Sequence, residues 1–330
     1  MVFLLTKVNG YKHNRYSTLK SQIMTDIVVL DHKIHGLSAA DYVTALQETL
    51  PEYEMSLART AAEREQLVAD ATVVTGYQIS ESLVESAEEL SLFICTFAGT
   101  DHLPTDTLEA NGVTVENASG VHGPNVAEQV LGYILTFVRR LDQGWQQEQQ
   151  AAWNHYQADE LKGSTATVVG QEPIGQTIVD RLNAFDVTTI GVRYTPSKGG
   201  SADEVIGFED AGLDEVLART DHLVLACPLT ELTETFVDSE VLLLLPTHAT
   251  LTNIARGKVV DTDALVNALQ TNEIRGAALD VTDPEPLPAD SPLWNLPNCH
   301  ITPHNAGHTP KYWNRCADIV ASVVQTTTTN

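Results

Sequence analysis

The sequence predicts an α/β protein built on parallel, doubly wound sheets, and three stretches of the chain carry this prediction. Between Ile27 and Ile94, short runs of apolar, β-prone residues alternate with runs of helical spacing. Ser164 to Val169 is a predicted strand that leads through a glycine-containing loop into a helix and a second strand, Val187 to Val192. Further predicted strands between His222 and Leu279 each end in a loop. Because the carboxyl ends of parallel strands face one crevice, these loops are the candidate binding loops.

Length and composition fit a protein of two domains and limit what it can bind. The chain has 330 residues, 43% of them apolar, and no apolar run reaches the ~18 residues of a membrane span. A net charge of -25 with only eight lysines argues against a nucleic-acid partner, which needs clustered basic residues. We interpret the acidic, lysine-poor composition as adaptation to concentrated salt, with ordinary acidic composition as the alternative.

The cysteines and the N-terminus bear on where the protein resides. Four cysteines show neither the spacing of a metal site nor that of a disulfide framework, so we expect no metal and a reduced, cytoplasmic location. Residues 1–23 carry four basic and no acidic side chains, unlike the rest of the chain. We predict that they form a disordered leader and that Met24 is the natural start, with a functional basic tail as the alternative.

Two predicted strands in the first third of the chain end in loops of small residues. These loops are Thr75 to Tyr77 and Phe97 to Asp101. Small residues let backbone N–H groups reach a ligand, although a simple turn needs glycine for the same steric reason. A further strand, Val113 to Glu116, precedes a long helical run.

That run, from Asn125 to Gln150, is predicted to be one helix with apolar residues on more than one face. Such a helix is typically buried between domains or between subunits. We interpret it as the link between domains and as the contact of a homodimer. A plain core helix is the alternative.

The loop after Val169 has part of a dinucleotide-binding fingerprint. Gly170 and Gly175 occupy its first and third glycine positions, in the strand–loop–helix context that the fingerprint requires. Glu172 occupies the second, where the backbone must approach a pyrophosphate. Its bulk and negative charge predict weakened or rearranged cofactor binding, although a helix N-terminus tolerates an acidic side chain that turns away.

The end of the following strand bears on the choice of coenzyme. Enzymes that use NAD usually place an acidic residue there to hold the ribose 2′-hydroxyl. Here the residue is Arg193, which would attract a 2′-phosphate, with Thr195, Ser197 and Lys198 nearby as further donors. We therefore expect NADP to be preferred over NAD, with a solvated surface arginine as the alternative.

The stretch from Thr252 to His304 contains three residues with complementary chemistry. Arg256 can hold a carboxylate through two hydrogen bonds, and His304, backed by Glu285, can transfer a proton near neutral pH. That combination suits a 2-ketoacid or 2-hydroxy acid. Each residue alone also has an ordinary structural explanation, so the predicted substrate class rests on the three residues occurring together in this order.

The motifs in order resemble those of the D-isomer-specific 2-hydroxyacid dehydrogenase family, from about Ile27 to Val320. They are Gly170 to Gly175, Asn253 to Gly257, Ala278 to Val281, Glu285 to Pro286, Ser291 to Trp294 and Ile301 to His304. The segment from Pro286 to Trp294 is most similar to glyoxylate and hydroxypyruvate reductases and to salt-adapted 2-ketoacid reductases.

The resemblance implies two Rossmann-like or flavodoxin-like domains with a cleft between them. Residues 24–122 and 305–330 would form the substrate domain, and residues 123–304 the dinucleotide-binding domain. In the implied site, Arg256 grips the substrate carboxylate, His304 donates a proton to the carbonyl oxygen, and Glu285 orients His304. The implied substrate contacts are Tyr77, Ala98, Gly99, Arg256 and Trp294.

The expected function is therefore a homodimeric 2-ketoacid reductase that prefers NADP or uses NAD. Asp280 would meet the nicotinamide carboxamide. The other implied cofactor contacts are Gly170, Gln171, Pro173, Ile174, Gly175, Arg193, Tyr194, Thr195, Cys227, Pro228, Thr230 and Ala255. The alternative is a dinucleotide-sensing interaction protein without turnover, which resembles the family's corepressor branch.

Overall fold

The structure, a computed structural model, describes residues 27–100 and 102–327, which form two compact units. The first unit extends to Val121 and resumes at Pro310, and the second spans His122–Thr309. The predicted leader, residues 1–23, lies outside the described residues. The chain returns from the second unit to the first after Thr309, whereas the predicted boundary lay after His304. Residues 305–307 belong to the second unit because they are hydrogen-bonded to other residues of that unit.

The first unit contains a five-stranded parallel sheet in the order β2-β1-β3-β4-β5, which is the flavodoxin-like order. The strands are β1 (Ile27–Leu30), β2 (Met55–Ala58), β3 (Val73–Gly76), β4 (Leu92–Cys95) and β5 (Thr114–Asn117). The helices between them are α1 (Ala39–Thr49), α2 (Ala61–Val68), α3 (Glu81–Ser86) and α4 (Thr105–Ala110). Capping boxes begin α1 at Ser38 and α2 at Thr60.

The second unit contains a seven-stranded parallel sheet in the order β12-β11-β10-β9-β6-β7-β8. Its strands are β6 (Thr165–Val169), β7 (Thr188–Val192), β8 (Glu204–Ile206), β9 (His222–Leu225), β10 (Thr250–Asn253), β11 (Gly276–Leu279) and β12 (Cys299–Ile301). Its helices are α5 (Gly123–Arg139), α6 (Leu141–Gln149), α7 (Pro173–Asn183), α8 (Leu213–Leu217), α9 (Ser239–Leu244) and α10 (Thr262–Thr271). The chain then returns to the first unit in α11 (Tyr312–Thr327).

The predicted fold class is confirmed, and the strand order shows where ligand loops meet. From β6 the chain builds outward to β8 and then crosses to β9 on the other side of β6. The loops after β6 and β9 therefore diverge at a topological switch point, which is where doubly wound sheets bind ligands. The core strands are buried on both faces. In β1, Ile27 and Val29 pack against α1 and α11, and Val28 and Leu30 pack on the opposite side of the sheet.

Three strands that the sequence did not predict lie at the edges of the sheets. They are β2, β8 and β12, and each is only partly buried. The prediction of one helix from Asn125 to Gln150 is wrong, because Arg140 adopts a left-handed conformation (φ 51°) that separates α5 from α6.

The apolar surface of α5 is covered within the second unit. One set of its residues packs against α7 and includes Val130 and Ile134, and another, Tyr133 and Phe137, packs against Ala278 of β11. These contacts are those of a core helix, and α5 also begins at the boundary between the units. At 17 residues, α5 is the longest helix in the described part of the chain. None of the described helices combines the length and the apolar character that a membrane span requires.

Candidate active site

His304 and Glu285 form a hydrogen-bonded pair. Nδ1 of the histidine lies 2.9 Å from Oε2 of Glu285, while Oε1 of the same carboxylate accepts the backbone N–H of Thr282 at 3.1 Å. The backbone N–H of His304 donates to the carbonyl oxygen of Asp280 at 2.7 Å. Nε2 of His304 has no hydrogen-bond partner among the described residues, and the side chain is 53% exposed. The ring therefore presents one nitrogen to a ligand and is held through the other.

The buried carboxylate of Asp280 holds the chain on both sides of the histidine. Oδ1 accepts the Thr302 hydroxyl at 2.5 Å and the N–H of Asn305 at 2.8 Å, and Oδ2 accepts the N–H of Ala306 at 3.0 Å. Sequence motifs alone did not indicate this role, because the bonding residues are more than 20 positions away along the chain. The implied contact of Asp280 with a nicotinamide carboxamide stays a prediction.

Arg256 is presented by a turn that its neighbours build. Asn253 is buried and accepts the N–H of Ala255 through Oδ1 at 3.0 Å, and its Nδ2 donates to the Arg256 carbonyl at 3.0 Å. The guanidinium is exposed and donates to the Ala255 carbonyl at 2.6 Å. A Cβ atom at Gly257 would lie 2.1 Å from the carbonyl carbon of Thr282, so only glycine lets these two loops touch.

A cavity of about 420 Å³ brings most of the candidate chemistry together within the second unit. Its lining residues are Asp280, Thr282, Glu285, Pro286, Leu287, Trp294, Ile301, Thr302, Pro303 and His304. The predicted pocket residue Trp294 is among them, with its indole N–H bonded to the Pro288 carbonyl at 2.9 Å. Arg256 does not line this cavity and lies on the neighbouring loop.

The predicted substrate loops of the first unit lie after β3 and β4. The ring of His102, which the sequence did not single out, stacks on Tyr77 at a centroid distance of 4.3 Å, and its Nε2 lies 2.7 Å from the Tyr77 carbonyl oxygen. Asn117 donates to the Ala98 carbonyl at 2.8 Å. A Cβ at Gly99 would meet no atom within 4 Å, so packing does not require glycine there. At Gly76, by contrast, a Cβ would lie 2.9 Å from Leu30, so packing explains that glycine.

The loop after β6 has the shape of a dinucleotide cradle. Gly170 has a φ of +98°, and a Cβ there would lie 2.6 Å from the backbone nitrogen of Cys227. A Cβ at Gly175 would lie 1.8 Å from the Gly170 carbonyl oxygen. The side chain of Glu172 makes no cap bond to α7, so the N–H groups of the first turn, including that of Ile174, remain open to an anion. These residues therefore fit a pyrophosphate.

A cavity of about 410 Å³ lies beside this loop and contains seven predicted cofactor residues. They are Gly170, Gln171, Arg193, Tyr194, Cys227, Pro228 and Thr230. The sequence missed Phe208, Glu231, Leu232 and Thr233, which also line it. Of the other predicted contacts, Pro173, Ile174 and Gly175 form the first turn of α7, Thr195 precedes a 3₁₀ turn, and Ala255 is buried after β10.

Glu172 and Arg193 pair inside this cavity. The alternative reading of Arg193 as a solvated surface residue is wrong, because it is only 8% exposed and its Nη1 donates to the Gly199 carbonyl at 2.6 Å. Its Nη2 lies 3.5 Å from Oε1 of Glu172, whose side chain does not cap the helix and is 69% exposed. The neighbouring Gln171 turns inward and donates to the Val168 carbonyl at 3.0 Å.

The chain is similar to known dehydrogenases over most of its length. Residues 131–306 match the family model described as D-isomer specific 2-hydroxyacid dehydrogenase, NAD binding domain. A glyoxylate reductase from Thermofilum pendens is 34% identical over 255 residues, which cover 74% of each chain. A D-3-phosphoglycerate dehydrogenase from Methanocaldococcus jannaschii is 31% identical over 291 residues, which cover 86% of this chain and 55% of that protein. The chain thus spans about half the length of that relative.

Solved structures show the same similarity in three dimensions. The crystal structure of a D-isomer specific 2-hydroxyacid dehydrogenase family protein from Aeromonas salmonicida aligns with a TM-score of 0.69 and 29% identity. The alignment covers 91% of this chain and 94% of that one. Both units therefore have counterparts in a solved structure.

Proposed function

The chain belongs to the D-isomer specific 2-hydroxyacid dehydrogenase family, and from that premise we propose that it is a reductase of small 2-ketoacids. Its product is the D-2-hydroxy acid, and its coenzyme is a nicotinamide dinucleotide. One observation carries this proposal: the His304 ring is hydrogen-bonded to Glu285 through Nδ1 and keeps Nε2 open. A protein that only senses a dinucleotide does not need a supported proton donor.

The residues of the second unit divide the chemistry among them. When bound, the coenzyme supplies the hydride that adds to the carbonyl carbon. His304 donates the proton from Nε2 to the carbonyl oxygen, and the carboxylate of Glu285 stabilises the imidazolium before that transfer. Arg256 binds the substrate carboxylate through its exposed guanidinium. In the oxidative direction the same Nε2 accepts the proton.

The coenzyme of this proposal is NADP in preference to NAD. The preference is supported by the fixed position of Arg193 at the end of β7, because a buried guanidinium with a bonded backbone partner is preorganised for a phosphate. The N-terminus of α7 provides the site for the pyrophosphate that both coenzymes share.

We place the contact of the proposed homodimer in residues 141–156 and not on α5. This segment carries four large exposed side chains, and Trp153 is 91% exposed. The four are Leu141, Trp145, Trp153 and Tyr156. Clustered exposed aromatic groups are typical of subunit interfaces. Sedimentation of Trp153→Ser against wild type tests this placement, and an unchanged dimer in the variant would argue against it.

The proposed setting is a cytoplasm with concentrated salt. A chain with a net charge of -25 repels itself at low ionic strength, and salt screens that repulsion over a Debye length of about 10 Å at 0.1 M. We therefore expect both stability and activity to rise with salt concentration.

The experiment that tests the function is a coenzyme oxidation assay. NADPH and NADH are supplied with glyoxylate, hydroxypyruvate, pyruvate and longer 2-ketoacids at low and high salt, and the chirality of the product is determined. Turnover that yields the D-isomer supports the proposal. Binding of coenzyme without turnover on any of these acids would refute it and favour the sensing function.

A further inference from the structure

The coenzyme cavity contains a carboxylate where the family fingerprint has glycine, and that carboxylate faces an arginine from another strand. Glu172 comes from the loop after β6, whereas Arg193 directly follows β7, so the two meet only in the folded chain. The two partners differ in burial. Arg193 is buried and bonded to Gly199, while Glu172 is mostly exposed and its side chain makes no other hydrogen bond among the described residues.

We propose that Glu172 is a coenzyme-specificity residue that opposes the binding of a 2′-phosphate by pairing with Arg193. The proposal rests on the proposed function, in which Arg193 meets that phosphate. The Nη1 edge of Arg193 is committed to the Gly199 carbonyl, so the Nη2 edge is the one that a phosphate can use. Glu172 occupies that edge at 3.5 Å.

The exposed partner of the pair is the one that moves. A 3.5 Å contact between a buried guanidinium and an exposed carboxylate is weak, so an incoming phosphate displaces Glu172 and leaves Arg193 in place. The displaced carboxylate nevertheless stays near a phosphate of charge close to -2. NADH has a hydroxyl at the same position, which can donate to the Glu172 carboxylate. Glu172 thus limits the preference for NADP that Arg193 gives, because it offers NADH an acceptor at the position where it opposes the phosphate of NADPH.

The size of the effect follows from the charges. Two unit charges about 4 Å apart in water change an equilibrium constant roughly fivefold, and a phosphate carries nearly two charges. Two charges would give roughly 25-fold without screening, and screening over a Debye length of about 10 Å reduces this, so we expect Glu172→Gln to tighten NADPH binding roughly tenfold at 0.1 M salt. NADH binding should stay unchanged or weaken a few-fold. Since the Debye length is about 3 Å at 1 M salt, the gain for NADPH should shrink towards unity there.

The test measures coenzyme dissociation constants by titration calorimetry or tryptophan fluorescence, without substrate, from 0.1 M to 2 M KCl. Asp180→Asn is the matched control. Asp180 is an exposed carboxylate on α7, so its substitution removes the same charge at a site away from the pair. A tenfold shift in the NADPH-to-NADH ratio for Glu172→Gln, absent in the control and lost at high salt, supports the proposal.

Two other results would overturn it. Equal tightening of both coenzymes would show that Glu172 acts on the shared pyrophosphate, and an unchanged ratio would show that the pair does not affect the 2′ position. Either result leaves the proposed reductase function standing. If wild type and variant bind neither coenzyme, both proposals fail together.

Discussion

Replacing Glu285 with glutamine removes the charge behind His304 while keeping the size of the side chain. In the wild type, one carboxylate oxygen lies 2.9 Å from Nδ1 and the other accepts the Thr282 N–H. A glutamine satisfies only one of these contacts with its oxygen and turns its NH₂ group toward the other. The imidazolium therefore loses its charged partner in both orientations, and either Nδ1 of His304 or the Thr282 N–H also loses its hydrogen-bond acceptor.

The magnitude follows from the exposure of the pair. Hydrogen bonds to charged groups contribute about 1.5–3 kcal/mol, and the side chains here are 53% and 40% exposed, which favours the lower end. We therefore expect kcat/KM for ketoacid reduction to fall roughly ten- to thirtyfold at neutral pH.

The assay is steady-state reduction from pH 5.5 to 9 with coenzyme at saturation. His304→Ala serves as the reference and should lose roughly two to four decades of rate at every pH. If Glu285→Gln matched wild type over the whole range, the carboxylate would have no part in proton transfer and our assignment of the pair would be wrong. Circular dichroism of each variant checks that the fold is retained.

Three further predictions concern packing and buried groups. Gly257→Ala should lower the melting temperature and the activity, because its methyl group would lie 2.1 Å from Thr282. The control is Gly132→Ala on α5, where the methyl group would meet no atom within 4 Å, so the folded protein should be unaffected or stabilised by roughly 1 kcal/mol. Burial lowers the pKa of His222 from 6.5 to about 4, so only the unfolded state binds its proton between those values. Stability should fall by roughly 1.4 kcal/mol per pH unit from this source as pH drops from 6.5 to 4, and denaturant titrations of His222→Gln should lack that component. Burial raises the thiol pKa to about 11 in Cys227 and to about 12 in Cys299 and Cys316. Alkylation of these cysteines in the native protein at pH 8 should therefore be slow until denaturant is added.

The central strands could be predicted from the sequence because their burial leaves a direct trace. A strand covered on both faces, such as β1, is a continuous apolar run. The edge strands β2, β8 and β12 are short and partly exposed, so their residues lack that pattern and the sequence did not reveal them. The helix break at Arg140 was also hidden, because an arginine in a left-handed conformation has no local signature.

The candidate site divides in the same way. Arg256, Glu285 and His304 could be named because each lies in a short motif, and the glycines at 170 and 175 because their close approaches are local. The contact between Glu172 and Arg193 and the stacking of His102 on Tyr77 join separate strand ends. Such contacts depend on sheet order, which spacing along one chain does not specify.

A proton donor needs a fixed position and an open atom, and in this protein different residues supply the two. The buried Asp280 carboxylate binds the chain on both sides of His304. Two side chains of α5 bind the same segment: Asn125 donates to the Ala306 carbonyl at 2.5 Å, and the Tyr133 hydroxyl is hydrogen-bonded to the Thr302 hydroxyl. The ring itself is exposed, and within the described residues its one hydrogen bond joins Nδ1 to Glu285. Because Nδ1–H donates a hydrogen bond to the Glu285 carboxylate, the neutral ring carries its lone pair at Nε2, so the same atom serves as donor in reduction and as acceptor in oxidation. The helix that opens the second unit therefore has a role beyond its apolar packing: it fixes the backbone from which that nitrogen is presented.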